Sequence, residues 1–362
     1  MKIREGRPPS YIIIFDALIS IILCIYALSS KVVIYAPYYK EKFLASELAN
    51  RYFNEIREYR NKIGIPIDQV NDPAGSGLIG HQITPITTEF GDLTAKLTSI
   101  NPNFAALFVT YLKKLKVKEN DFVAVHLTGS FPALNLCLLA ALTTLKLRPI
   151  IITSVGSSMW GANIPGFTYL DMESFLYQNG LIKFKTAYSS YGGIDDVGRG
   201  LTLEGREIIT RTIARNGTIL IKANSLEESI DTKLKLYDKE TQGHPIKCFI
   251  NIGGNAAVIA GVEVPSGLLT ERYSDHPGLI GAFLRRNIPV INIQNINALA
   301  KRYKLPVAPS YIQKPGEGKL FTEIRYSTKA AFLSLVLILL LLAFSLIVDV
   351  DFYMKKLLRR FK

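Results

Sequence analysis

Residues 121–136 read DFVAVHLTGSFPALNL. Val123, Val125 and their apolar neighbours have the composition of a buried strand. Thr128-Gly129-Ser130 interrupts that run, and Phe131-Pro132 opens a second apolar stretch. Proline near the start of a segment is a helix-entry signal. The spacing therefore predicts a strand over 121–128, a tight turn and a helix over 131–145. Outward from this unit the alternation repeats. Arg148–Val155 reads as another buried strand. Helix 203–215, strand 218–222, helix 225–239, strand 246–252, helix 276–286, strand 288–293 and helix 294–303 follow. Strands alternating with helices predict an α/β fold: a mostly parallel, Rossmann-like sheet with helices on both faces. A stretch at about 165–215 fits this alternation poorly and reads as an inserted lobe.

Upstream, Phe43, Leu44, Leu48, Tyr52, Phe53 and Ile56 recur at helical spacing within 39–62, which reads as a stalk helix. Residues 64–100 are rich in Gly, Pro, Thr, Asp and Asn and read as a long loop, a kind of segment that often carries function. Asn101 then caps a helix with Pro102 at its first position, running to about Leu115.

Both ends of the 362-residue chain are apolar. In Tyr11–Leu28 only Asp16 is charged, and Ala330–Val348 carries no charge before Asp349 and Asp351. At ~1.5 Å per residue each is long enough to cross a hydrocarbon core of ~30 Å. Lys2, Arg4 and Arg7 precede the first stretch; Lys355, Lys356, Arg359, Arg360 and Lys362 follow the second. Basic flanks stay in the cytoplasm. The expected plan is a tail and span in 1–30, an extracytoplasmic α/β domain in 31–326, and a second span with a basic tail in 327–362. Ala27-Leu28-Ser29 also fits a signal-peptidase site, so a cleaved first segment is the alternative. Asp16, near the span entry, either pairs with another helix or snorkels to the interface.

The composition, 48% hydrophobic, excludes a disordered chain, and three cysteines exclude a disulfide scaffold. Cys137 and Cys248 read as packed thiols. Residues 31–326 hold 34 Lys+Arg against 26 Asp+Glu. That surplus favours an anionic partner, such as an acidic polymer or phospholipid headgroups, or is simply a basic surface. No nucleic-acid module is recognisable. With no Walker lysine, no G-x-G-x-x-G and no zinc spacing, no cofactor and no metal are expected.

Ligands of open α/β sheets bind outside the carboxyl ends of the strands. Three loops belong there: Thr128-Gly129-Ser130; Ser154 to Asn163, containing Gly156, Ser157, Ser158 and Trp160; and Gly253-Gly254-Asn255. Ser130 reads first as a helix cap, and also as a nucleophile at a strand–helix turn. T-G-S-F-P departs from the hydrolase elbow G-x-S-x-G, however. Trp160 is either a binding wall or a core side chain. Glu89, Asp92 and Lys96 in TTEFGDLTAK suit acid–base chemistry, with Asp92 and Lys96 also candidate ligand-binding residues, and Asp195-Asp196 beside Arg199 suit acid–base chemistry or a turn. His81, His126, His244 and His276 read as surface or capping residues.

The runs 76–107 (SGLIGHQITPITTEFGDLTAKLTSINPNFAAL), 123–136 and 154–173 (SVGSSMWGANIPGFTYLDME) resemble the poly-gamma-glutamate system protein family. These are membrane proteins associated with bacterial poly-γ-glutamate synthesis loci. The likeness continues through 192–207, 224–230 and 249–257 and thins beyond Gly267. It implies a role in making, exporting or handling poly-γ-glutamate at the bacterial cell membrane, as part of capsule or envelope biology. It brings no catalytic residues. Three expectations follow: an exported domain that binds the anionic polymer, a serine-type hydrolase or transferase acting on γ-glutamyl chains, or a structural partner of synthase membrane subunits.

Overall fold

The computed structural model describes residues 3–353 and divides into two compact units. In chain order the helices begin with α1 (Ser10–Ser29). The unit Ala36–Phe321 holds α2 (Tyr39–Lys62), α3 (Leu93–Ser99), α4 (Phe104–Lys114), α5 (Pro132–Thr144), α6 (Tyr169–Gln178), α7 (Leu203–Arg215), α8 (Leu226–Glu240), α9 (Ala256–Ile259), α10 (Leu279–Arg285) and α11 (Ile296–Tyr303). Helix α12 (Thr328–Ile347) follows.

In the large unit, seven strands form one sheet: β1 (Phe122–Thr128), β2 (Arg148–Ser154), β3 (Tyr188–Ser190), β4 (Ile219–Leu220), β5 (Ile246–Ile252), β6 (Gly267–Leu269) and β7 (Val290–Ile293). Their spatial order is β6-β7-β5-β1-β2-β3-β4. Only the edge strand β6 is antiparallel. The chain builds one half from β1 outward to β4, then returns to lay β5 on the other flank of β1. The reversal between β1 and β5 is the topological switch point, where the crevice of such a sheet opens.

Alternation along the strands separates two apolar layers. Val123, Val125, Leu127, Ile151, Ile250 and Ile291 point to a core shared with α2, α4 and α5. Ala124, Ile150, Ile152, Phe249 and Val290 point the opposite way, onto Tyr237 of α8 and Leu279 and Phe283 of α10. Helices thus cover both faces, as the α/β pattern requires.

Several sequence expectations change here. Helix α2 is not a stalk: Ala45, Ala49, Tyr52, Phe53 and Ile56 form one fully buried stripe in the core. Residues 165–215 are not a separate lobe. They supply α6, α7 and β3, and β3 pairs in parallel with β2. The large unit begins at Ala36 and ends at Phe321, inside the expected 31–326. The long loop at 64–100 contains a short strand, Thr87–Glu89, and α3. Its Gly/Pro-rich part is held by the buried Arg60, whose guanidinium donates to the carbonyls of Ile65, Pro66, Gly77 and Ile79. Asn101 precedes α4 rather than capping its first turn, its Oδ1 accepting from the Asn103 N–H.

In the other unit, α1 packs against α12, and Lys31–Tyr35 pairs antiparallel with Thr322–Tyr326. These strands were not foreseen. Both helices are long and apolar enough to cross a membrane, by length and composition. Asp16 is buried within this unit, with its Oδ1 unpartnered among the described residues. Arg4 donates to the Val348 carbonyl beyond the end of α12. Lys2 and the basic run Lys355, Lys356, Arg359, Arg360 and Lys362 lie outside the described residues.

Candidate functional site

The three predicted loops meet at the carboxyl edge of the sheet, around the β1/β5 reversal. A cleft of roughly 740 Å³ lies there, lined among others by Glu89, Asp92, Lys96, Ser130, Ser158 and Gly254. Gln294, Asn295 and Arg302, from β7's end and α11, complete its wall. A smaller cleft of roughly 240 Å³ is lined by Thr128, Ser130, Gly156, Gly254 and Asn255. Ser130, Glu89, Gly254 and Ile259 line both.

The segment 87–99 delivers the lysine. Thr87–Glu89 pairs in parallel with Ser157–Ser158. The Asp92 carboxylate then caps α3 by accepting from the Thr94 N–H. One turn into α3, Lys96 turns inward and is only 2% exposed. Its Nζ lies 2.7 Å from the Ser158 Oγ and also donates to the Ser130 carbonyl. The Phe131 ring face is 4.0 Å away. Burial drives the Lys96 ammonium down to about 7, against the pull of Glu89 and Asp92. The lysine is therefore poised to exchange a proton near neutral pH.

Ser130 is not a helix cap. Phe131 occupies that position in α5, without a side-chain bond. The Ser130 Oγ instead accepts the Ser158 N–H at 3.0 Å. This contact fixes the second loop to the first and leaves the Ser130 hydroxyl proton free of any acceptor among the described residues.

The structure does not bring every expected residue to the cleft. Trp160 packs at the margin of the core, in a left-handed backbone conformation (φ +58°), and lines neither cleft. Ser157 is buried, its Oγ donating to the Ser158 carbonyl. Gly129 and Gly253 serve close packing between loops. A Cβ on Gly129 would lie 2.6 Å from the Val155 carbonyl oxygen, and one on Gly253 would lie 2.2 Å from the Thr128 Oγ1.

Beneath the smaller cleft, Asp196, Ser154, Asn255 and His126, each named from the sequence for another role, join Lys233, Ser190 and Ser229, which the sequence reading did not single out, in one buried polar network. Asp196 pairs with Lys233 of α8, and both side chains are fully buried. The Asp196 carboxylate also accepts from Ser154 (2.9 Å), Ser190 (2.7 Å), Ser229 (2.7 Å) and Asn255 (2.6 Å). Burial alone would raise its pKa, but the Lys233 charge and the hydrogen bonds hold it at about 2. Burial, then the Lys233 charge, pushes His126 well below its ordinary value, so the ring is neutral and accepts from Lys233 at 3.0 Å. His126 is accordingly a core residue, not a surface one. The network ties the ends of β2 and β3, the loop after β5 and α8 together. Asp196, Lys233 and His126 are enclosed, and the network reaches the lining of the smaller cleft through Ser154 and Asn255. His276 does play a capping-type part, accepting from the Gly278 N–H. No grouping of three or more His, Cys, Asp or Glu among the described residues could hold a metal.

The chain matches no family model, no curated protein and no solved structure.

Proposed function

We propose that the chain is a membrane-anchored component of a poly-γ-glutamate system, and that its α/β unit binds the anionic polymer in the larger cleft. The membrane plan is that of the sequence: two spans, both tails cytoplasmic and the α/β unit outside. The single observation supporting a binding role is the convergence of three polar loops on one cleft at the strand-order reversal. Arg302 supplies a cationic donor there, and Ser130 and Ser158 supply hydroxyls. The lining also contains Glu89, Asp92 and Glu263. An acidic chain would thus be held by particular donors, with the net positive surface adding long-range attraction.

The test is retention of the full chain, in detergent, on immobilised poly-γ-glutamate. Retention should fall with rising salt, because screening weakens exposed charge–charge attraction. It should fall again in Arg302→Gln at constant salt. Absence of salt-sensitive retention refutes the binding role. Protease treatment of intact cells that leaves residues 36–321 untouched while cutting the tails refutes the membrane plan.

A further inference from the structure

We propose that Ser158 and Lys96 act together as nucleophile and general base in acyl transfer from an amide substrate seated in the larger cleft. The carboxylate-bearing character of that amide rests on the function proposed above; the nucleophile–base pair does not.

The geometry carries the assignment. Of the three serines that line the larger cleft, only Ser158 has its hydroxyl in contact with a base, Lys96 Nζ at 2.7 Å; the Ser266 Oγ accepts from the backbone N–H groups of Gln294 and Asn295. At Ser130 the same nitrogen meets the carbonyl, which can only accept. A neutral amine satisfies both contacts at once. One N–H goes to the Ser130 carbonyl; as an ammonium the same nitrogen donates to the Ser158 Oγ, and once deprotonated its lone pair can accept the Ser158 hydroxyl proton. Both partners are tied to neighbouring elements. Ser158 is held in the short ladder with Thr87–Glu89 and by its N–H bond to the Ser130 Oγ. Lys96 is held by α3 and by enclosure. Such fixed contact between nucleophile and base is the general signature of an activated hydroxyl.

The steps balance without a further reactant other than water or an amine. The Ser158 Oγ bonds to the carbonyl carbon of the amide while its proton passes to Lys96. The Ser130 hydroxyl, whose proton has no acceptor of its own, is placed to donate to the carbonyl oxygen as charge develops there. Lys96 then returns the proton to the amide nitrogen as the C–N bond breaks, releasing an amine and leaving an ester on Ser158. Water or an incoming amine attacks that ester, giving up its proton to Lys96, and the Ser158 Oγ departs with that proton. Water gives hydrolysis; an amine gives chain transfer.

The test uses the full chain in detergent and a fluorophosphonate probe, read by intact mass and peptide mapping. One adduct on Ser158 is expected, forming faster as pH rises through about 7. The charged groups acting on Lys96 are Glu89 and Asp92. Lys96→Arg keeps a cation and its donors but cannot give up its proton. It should label more slowly by about 10²–10⁴-fold, as should Lys96→Met. A lysine that merely fastens the loops would leave labelling in the arginine variant unchanged. Should Ser158→Ala fold poorly, Ser158→Cys treated with iodoacetamide reads the same activation, with alkylation depending on Lys96. An adduct on Ser130 in place of Ser158, no adduct on the folded protein, or equal rates in wild type and both Lys96 variants overturns the assignment. Loss of polymer retention with Ser158 still labelled refutes the binding role and leaves this pair standing.

Discussion

Lys96→Met removes the one ammonium enclosed in the cleft wall while keeping an apolar stem of similar length. In the folded protein Lys96 titrates at about 7, against an ordinary 10.5. Between those values the unfolded chain holds a proton that the folded chain has lost. Stability therefore rises with pH wherever the unfolded state binds more protons, by ~1.4 kcal/mol per pH unit for one group. Below about 7 both states are protonated, and the cost of enclosing the ammonium is present in full. It disappears as pH climbs toward 10.5. Relative to Lys96→Met, the wild type should gain about 2–3 kcal/mol between roughly pH 7.5 and 9.5. Groups that titrate identically in the two proteins cancel in this difference. Urea unfolding at several pH values supplies the measurement, followed by emission of Trp160, the single tryptophan, two residues from Ser158. Parallel pH dependences for the two proteins would show that Lys96 keeps its proton in the folded state. That would remove the basis for its role as a base.

Asp196→Ala leaves Lys233 buried without its counter-charge and should cost about 3–5 kcal/mol by chemical unfolding; a loss under ~1 kcal/mol would contradict the ion pair. The Asp196 contribution should also fade in acid. Its folded value of about 2 lies below the ordinary 3.8, so the stabilisation is complete above the latter and is lost as pH falls toward the former. Ser130→Ala strands the buried Ser158 N–H and should lower stability by ~1–3 kcal/mol while leaving Ser158 as the labelled residue. Gly129→Ala forces a Cβ against the Val155 carbonyl and should cost about 1–3 kcal/mol, measured as a shifted unfolding midpoint; an unchanged midpoint would mean that the first two loops are not packed on each other.

Much of the fold is written in local pattern. The strand at Phe122–Thr128, the proline-led α5 and the alternation that follows are legible because period and punctuation agree there. Strand order is not, since nothing local tells β5 to return beside β1. The strand Tyr188–Ser190 escaped notice because its register with β2 spans only three residues. The ladder joining Lys31–Tyr35 to Thr322–Tyr326 depends on pairing across most of the chain length. Helix α2 shows that helical period alone cannot tell a stalk from a core layer. The small residues Ala45 and Ala49 in its apolar stripe were the clue to close packing.

The site was legible as a list of loops and illegible as a mechanism, for one physical reason. Small polar residues at strand ends suit both ligand approach and loop–loop approach, and composition does not separate the two. At Gly129 and Gly253 the close neighbours are other loops, so those glycines shape the cleft without facing its contents. Lys96 and Ser158 behave in the opposite way. Each is unremarkable alone, one in a helix and the other in a serine-rich turn. Their meeting depends on a two-residue parallel ladder between Thr87–Glu89 and Ser157–Ser158. Enclosure then alters the lysine's acidity, a property that no spacing of residues encodes. The same holds for Asp196, Lys233 and His126, which come from three separated segments and whose acidities shift only once they are enclosed together. Chemistry at this sheet edge is thus set by which loops are pressed together. Variants that loosen the packing should change reactivity at Ser158 without replacing any residue that lines the cleft.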